Sequence, residues 1–270
     1  MISQINEWFG RTGNNVIQII NCIYYSFYMN NFEKIVFPRH GLFHTNIILN
    51  KEEKENKVIN TNDKTMINNF FYAKKLGFTL EPYQMREIAQ KYILDIIKLN
   101  ISNHTDSTKE QELYIHIRGG DTLNNGVMLL QNPLKLYTDI LNNKKYDIYK
   151  KINIIYEDTT NPVVSALYKL QNPRLQFQSS DIITDIETLC KAENLLMSLS
   201  TFSLLIYFLS KNIKHILLPD FMAEEWYPNL SWNIKKTIFT LENYSISIWK
   251  KLHTHQKKKL LLYYQGKIEV

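Results

Sequence analysis

Leu113-Tyr114-Ile115-His116-Ile117-Arg118-Gly119-Gly120-Asp121 is the stretch on which the fold turns. Leu113–Ile117 reads as a strand, and the glycine pair behind it reads as a sharp turn. The same grammar repeats downstream. Pro133–Leu141 is a helix with proline at its first position. Ile152–Tyr156 is a strand that runs into Glu157-Asp158, and Asn161-Pro162 opens a helix to Leu170. Leu175–Gln178 is a strand, Asp185–Cys190 a short helix, Leu195–Leu199 a strand, Thr201–Leu209 a helix and Ile213–Leu218 a strand. Strands alternating with helices across short loops predict a parallel α/β sheet.

The first half reads the same way with less contrast. Ile2–Phe9 is a strand, Gly10-Arg11-Thr12-Gly13 a turn, Asn14–Met29 an apolar helix and Glu33–Phe37 a strand stopped by Pro38. Lys51–Thr65 is polar and reads as a surface loop, and Tyr83–Leu99 is an amphipathic helix with Ile88, Tyr92, Ile96 and Leu99 on one face. The polar stretch Ile101–Glu110 marks the domain boundary. The expected organisation is an α/β domain over 1–109, a second α/β domain over 110–242, and a basic helical segment over 243–270 that packs back on the body.

Composition narrows the class. Apolar residues make up 44% of the 270, enough to bury a core, so disorder is excluded. Cys22 and Cys190 are too few for a disulfide framework and are not spaced as a metal site. They read as reduced thiols in a reducing compartment. Met1–Phe9 has no basic and apolar leader pattern, and the longest apolar run, Leu195–Leu209, is about 15 residues, short of a ~20-residue span. The expected location is cytoplasmic. The net charge of +6 suits a polyanionic partner, and Lys250, Lys251, Lys257, Lys258, Lys259 and Lys267 concentrate it near the end. That end either packs on the core with its lysines in water or rests on the inner face of an anionic membrane. A nucleic-acid partner is not expected.

Function in such a fold sits in loops at the carboxyl ends of strands. Gly10–Asn15, Arg118–Asp121 and Ser198–Ser203 hold that place, and four of the eight glycines fall in the first two. Gly10-Arg11-Thr12-Gly13-Asn14-Asn15 precedes a helix, so its N–H groups and Arg11 suit an anion; the alternative is a plain turn with a solvated arginine. Arg118 at a strand end can grip a phosphate bidentately, or it pairs with Asp121 while His116 sits satisfied in the core. The hydroxyls of Ser198–Ser203 either cap the following helix or bind phosphate on its dipole. Glu157 and Asp158 bind ribose hydroxyls or a base edge, or cap the next helix. No metal cluster accompanies these loops in the sequence, so the pattern fits a nucleotide diphosphate held without a metal.

Three of these segments also resemble one family. Gly10-Arg11-Thr12-Gly13-Asn14-Asn15-Val16-Ile17-Gln18 resembles the amino-terminal Gly-x-x-Gly-Asn-x-x-x-Gln segment of the α-1,2-fucosyltransferases. His116–Asp121 is similar to the His-x-Arg-Arg-x-Asp motif that α-1,2-, α-1,6- and protein O-fucosyltransferases share. Cys190–Ser203 looks like the third motif, Cys-Lys-x-x-Asn followed by Ser-Thr-Phe-Ser, and Tyr156-Glu157-Asp158 stands where the family has Ser-Asp-Asp. The resemblance runs in order over residues 8–210. It implies a GT-B-like fold of two facing Rossmann-like domains, and inverting, metal-independent transfer from a nucleotide sugar, GDP-fucose above all, to a glycan or lipid-linked glycan hydroxyl. Arg118 would hold the β-phosphate and stabilise the leaving GDP, and His116 would seat the nucleotide. Ser200, Thr201 and Ser203 would lie near the pyrophosphate, with Asn194 and Phe202 of the same motif and Asp158 on the donor side. Gly13 and Asn14 would close over the sugar phosphate. Asp121 and Glu157 are both candidates for the general base.

The departures are specific. Gly119 stands where the family has its second arginine, and Leu204-Leu205 replaces the aromatic pair after Ser-Thr-Phe-Ser. Residues 40–110 match no motif and are where an acceptor would be read. Another nucleotide sugar as donor, or a non-catalytic nucleotide- or glycan-binding homologue, are the competing expectations.

Overall fold

Backbone direction and burial separate the chain into two units, seen in a computed structural model that describes residues 1–51, 65–100, 111–223, 230 and 233–270. The first unit holds Met1–Asn100 with Leu204–Leu209, and the second Ile101–Ser203 with Ser210–Val270. Most of the stretch expected as a surface loop, and all of the expected boundary segment 101–110, lie outside the described residues.

In the first unit, β1 (Ile2–Ile5) runs parallel to β2 (Lys34–Val36) on one side and β4 (Thr65–Asn68) on the other, and β3 (Ile47–Leu49) closes the β2 edge antiparallel. Strand β1 is shorter than its apolar pattern suggests. It stops at Ile5 because the following backbone is bound elsewhere. Gln18, fully buried, accepts from Phe9 N at 2.7 Å and donates to Glu7 O at 3.0 Å and Asn69 O at 2.7 Å. Helix α1 (Thr12–Ile23) buries Val16, Ile19, Ile20 and Ile23 on one face and continues as a π-helical turn over Tyr24–Met29. Helix α2 (Pro82–Ile88) starts on a proline and passes into a π-helical turn over Ala89–Ile93. The expected helix to Leu99 therefore ends six residues early. Ile97 instead bridges Phe43.

The second unit carries a seven-stranded sheet among the described residues. Its strands are β5 (Glu112–Ile117), β6 (Lys151–Tyr156), β7 (Leu175–Gln178), β8 (Asn194–Leu196), β9 (His215–Pro219), β10 (Lys235–Leu241) and β11 (Ile268–Glu269). The spatial order is β11-β10-β9-β8-β5-β6-β7, parallel throughout except for β11 at the edge. From β5 the chain builds outward through β6 and β7, then returns to β5's other side for β8, β9 and β10. This is the Rossmann-like order 3-2-1-4-5-6, and it leaves a crevice at the carboxyl ends where the order reverses. The fold is thus α/β with mostly parallel sheets, as expected. Helices α3 (Leu134–Asn142), α4 (Pro162–Lys169), α5 (Ile182–Cys190), α6 (Thr201–Leu209) and α7 (Asp220–Ala223) link the strands. Helix α5 is longer than its apolar core because Asp181 caps it, accepting from Ile183 N at 3.0 Å and Thr184 N at 3.1 Å.

The basic end forms α8 (Ile246–Lys251) and α9 (Thr254–Tyr263) and belongs to the second unit. Trp249, Leu261 and Lys257 are fully buried. Lys257 Nζ lies 5.0 Å from the centre of the Trp249 ring and donates to Asn124 O at 2.6 Å and Val127 O at 2.9 Å. Lysine serves here because a long stem fills apolar space while its ammonium satisfies two carbonyls. Lys250, Lys251, Lys258 and Lys259 are exposed. Lys257→Met should lower stability by about 1–3 kcal/mol by removing both charge-assisted hydrogen bonds. Urea unfolding measures it, with Lys259→Met as the exposed control that stays unchanged.

Candidate functional site

The carboxyl ends of β5, β6 and β8 lie side by side, because β5 pairs with both others: Leu113 is opposite Asn194 and Ile152, and Ile117 is opposite Tyr156. Their loops therefore bring together His116, Arg118, Asp121, Glu157, Asp158, Ser200, Phe202 and Ser203. The order of residues along three separate strands becomes one cluster at the switch point.

Arg118 is the centre of the outer part. Its Nη2 donates to Asp121 Oδ1 at 3.1 Å, and its Nε faces Glu157 Oε2 at 3.4 Å. Its side chain is only 12% exposed, against 52% for Asp121 and 28% for Glu157. The guanidinium is thus already held between two carboxylates. Asp158 organises the loop beneath. It accepts from Thr160 N at 2.8 Å and from the Thr160 hydroxyl, and Thr160 Oγ1 in turn accepts from Gly120 N at 2.8 Å. Asn161 donates to Arg118 O at 2.9 Å, so the loops after β5 and β6 are tied together.

Gly119 has a steric reason. A Cβ there would stand 2.3 Å from Asp158 Oδ1. Its φ of −117° is not in the left-handed region, so the contact with Asp158 is the steric argument for glycine. The acidic loop of β6 occupies the volume into which a second arginine would emerge.

The inner part is buried and neutral. His116 Nδ1 lies 3.0 Å from Ser198 Oγ and 3.5 Å from Ser203 Oγ, and the two hydroxyls are 3.0 Å apart. The Phe202 ring packs on the imidazole at 4.7 Å. Burial first, and the Arg118 charge second, push the His116 pKa down to about 3. At neutral pH it offers a hydrogen bond and no charge. Ser200 Oγ accepts from Ser203 N at 3.1 Å, so it caps α6. Ser200 and Ser203 are buried, and Ser203 Oγ faces both Ser200 Oγ and the His116 ring. Thr201 and Phe202 are the half-exposed members of that motif.

Three other expected residues lie in the first unit. Arg11 flanks the start of α1, Gly13 is buried in its first turn, and Asn14 is half-buried. Gly10 takes φ +70°, and a Cβ there would meet Asn14 Nδ2 at 2.3 Å, so that turn requires glycine. Asn194 lies apart from this cluster. It sits at the amino end of β8, across from Leu113, with Nδ2 donating to Glu112 O at 3.0 Å. It joins strands at the far end of the sheet and does not reach the loops. Thr160 is a member that sequence reasoning did not single out. Thr160 was readable in principle, since Asp-x-Thr after a strand is a compact turn signal.

Searches against family models, curated proteins and solved structures find no match to this chain. Among the described residues no group of three or more His, Cys, Asp or Glu side chains is placed to hold a metal ion. No described helix is long and apolar enough to cross a membrane.

Two outcomes test this geometry. His116 stays neutral when folded but takes a proton near pH 6.5 when unfolded. Its contribution is complete above that pH and is lost as pH falls toward 3, about 2 kcal/mol by pH 5. Between pH 7 and 5, wild type should lose that much more stability than His116→Gln in urea titrations; equal losses would refute the burial argument. Separately, Gly119→Ala should destabilise by about 1–3 kcal/mol, and Asp158→Ala in the same chain should recover most of it. A double-mutant cycle with no coupling would show that the contact is not felt.

Proposed function

We propose that this chain is an inverting, metal-independent glycosyltransferase that moves fucose from GDP-fucose to a glycan or lipid-linked glycan hydroxyl. In this reading the two units form a GT-B-like pair, with the second binding the nucleotide and the first, including residues 40–100, meeting the acceptor. One observation carries the proposal: the motif residues after β5, β6 and β8 converge at the strand-order reversal, where α/β sheets hold nucleotides.

The acceptor hydroxyl attacks the anomeric carbon on the face opposite the diphosphate. Its proton passes to Asp121 or Glu157, and the glycosidic bond to the β-phosphate oxygen breaks with inversion. Negative charge then grows on the diphosphate, and Arg118 stabilises it. Arg118 is held by both candidate bases, so a diphosphate that competes for the guanidinium would leave a carboxylate free to act as base. His116 seats the nucleotide as a neutral hydrogen-bonding group, while Thr201 and Phe202 line the donor side. Exposed lysines on α8 and α9 support a peripheral, cytoplasmic-face placement beside a lipid-linked acceptor.

A second reading has an observation of its own. Gly119 leaves one arginine where two are expected, and that arginine is engaged by carboxylates. This favours a nucleotide- or glycan-binding homologue without turnover.

Thermal unfolding with GDP, UDP, CMP and GDP-fucose, with and without EDTA, tests both. Ligand at a hundredfold over Kd adds about 2.7 kcal/mol, a rise of several degrees. The expected result is a rise with GDP and GDP-fucose that survives EDTA and is lost in Arg118→Ala. A rise with UDP or CMP alone removes fucose. GDP binding without transfer to any of a panel of glycans selects the second reading, and no rise with any nucleotide overturns the transferase and leaves the glycan-binding form of the second.

A further inference from the structure

Away from the crevice, α4 and α9 enclose a cleft of about 490 Å³. Its charged liners are Lys169 and Lys258, both exposed, and no carboxylate lines it. Among the described residues neither lysine forms an ion pair. Thr159, Thr160 and Ser165 supply hydroxyls, and Leu134, Pro162, Ala166 and Leu262 an apolar wall. Tyr263 stands at the rim with 69% of its surface exposed.

We propose that this cleft is a second ligand site, distinct from the Arg118 loop, for a phosphate-bearing molecule with an apolar or aromatic body. Two ammonium groups and the hydroxyls of Thr159 and Ser165, with no carboxylate among the lining side chains, select an oxyanion. The volume decides the rest. A cleft of this size lies in the range of small-molecule sites, about 300–1,000 Å³, and a bare phosphate would leave most of it empty. The apolar wall and the Tyr263 ring suit the remainder of such a ligand. The phosphate belongs to a soluble aryl or alkyl phosphate or to a lipid headgroup.

The cleft also touches the crevice loops through one residue. Thr160 lines it and accepts the Gly120 N–H. A ligand that reaches Thr160 therefore perturbs the turn next to Arg118, so the Gly120 amide reports occupancy.

Phenyl phosphate and inorganic phosphate, titrated into ¹⁵N-labelled protein, test the site. The expected result is saturable binding of phenyl phosphate, tighter than inorganic phosphate, with the Gly120 amide among those that shift. Lys169→Gln with Lys258→Gln should weaken it about tenfold or more while the GDP response stays intact. Arg118→Ala should leave phenyl phosphate binding unchanged, which separates this site from the proposed donor site. Cosedimentation with phosphatidic-acid vesicles, lost in the same double variant but kept in Lys250→Gln with Lys251→Gln, would identify a lipid headgroup as the source. Vesicle binding without phenyl phosphate binding, spread evenly over all four lysines, would overturn the cleft in favour of a diffuse basic surface. So would phenyl phosphate binding that Arg118→Ala abolishes and the lysine variant does not, or no saturable binding.

Discussion

Strand β5 must satisfy neighbours on both sides, and the rest of the second unit follows from that constraint. Parallel neighbours are joined by crossovers, and here the chain leaves β5 toward β6 on one side and comes back from β7 to β8 on the other. Where they part, the carboxyl ends open a crevice whose backbone groups have no ladder partners. The side chains that fill this gap are polar for that reason. Thr160 takes the Gly120 N–H, Asn161 takes the Arg118 carbonyl and Thr122 takes the Gly119 carbonyl at 3.0 Å. The loops are stiff before any ligand is considered.

The same crevice is layered electrically. Below lies a neutral cluster of His116, Ser198 and Ser203, too deeply buried for the imidazole to hold a proton at neutral pH. Above it sits one guanidinium between two carboxylates. The two layers are joined through Ile117, since His116 lies on β5 and Arg118 is the first residue past its end. A charged His116 would sit unpaired beside Arg118 in a low-dielectric site, which burial forbids.

How much of this was legible in the sequence depends on what each pattern encodes. Central strands such as β5, β6 and β9 are short apolar runs between turn residues, and they read directly. Strands β3, β4 and β10 did not, because each shows water an apolar side chain: Leu49, Ile67 and Ile238 are exposed. Loop membership of the site was legible, because glycines and hydroxyls at strand ends are position markers. Side-chain direction was not. Nothing in Ser-Thr-Phe-Ser says that its first and last hydroxyls turn inward while Thr201 and Phe202 stay half-exposed. Asn194 belongs to the same motif in sequence, yet a strand's length separates it from the site. Lys257 shows the limit most sharply, since a lysine inside a run of lysines ordinarily lies in water.

Lys257 also explains why the basic end cannot be treated as an appendage. Its two acceptor carbonyls, of Asn124 and Val127, lie directly after the short 3₁₀ turn Gly120–Leu123 that carries Asp121. Asn125 of the same segment accepts from Thr254 N at 3.0 Å at the start of α9. The chain's last helix therefore grips the loop that follows the Arg118 turn, and it does so with a charge-assisted contact stacked over Trp249. Helix α9 also packs on α3 and α4. One element thus anchors the Arg118 loop from behind and supplies one wall of the lysine cleft.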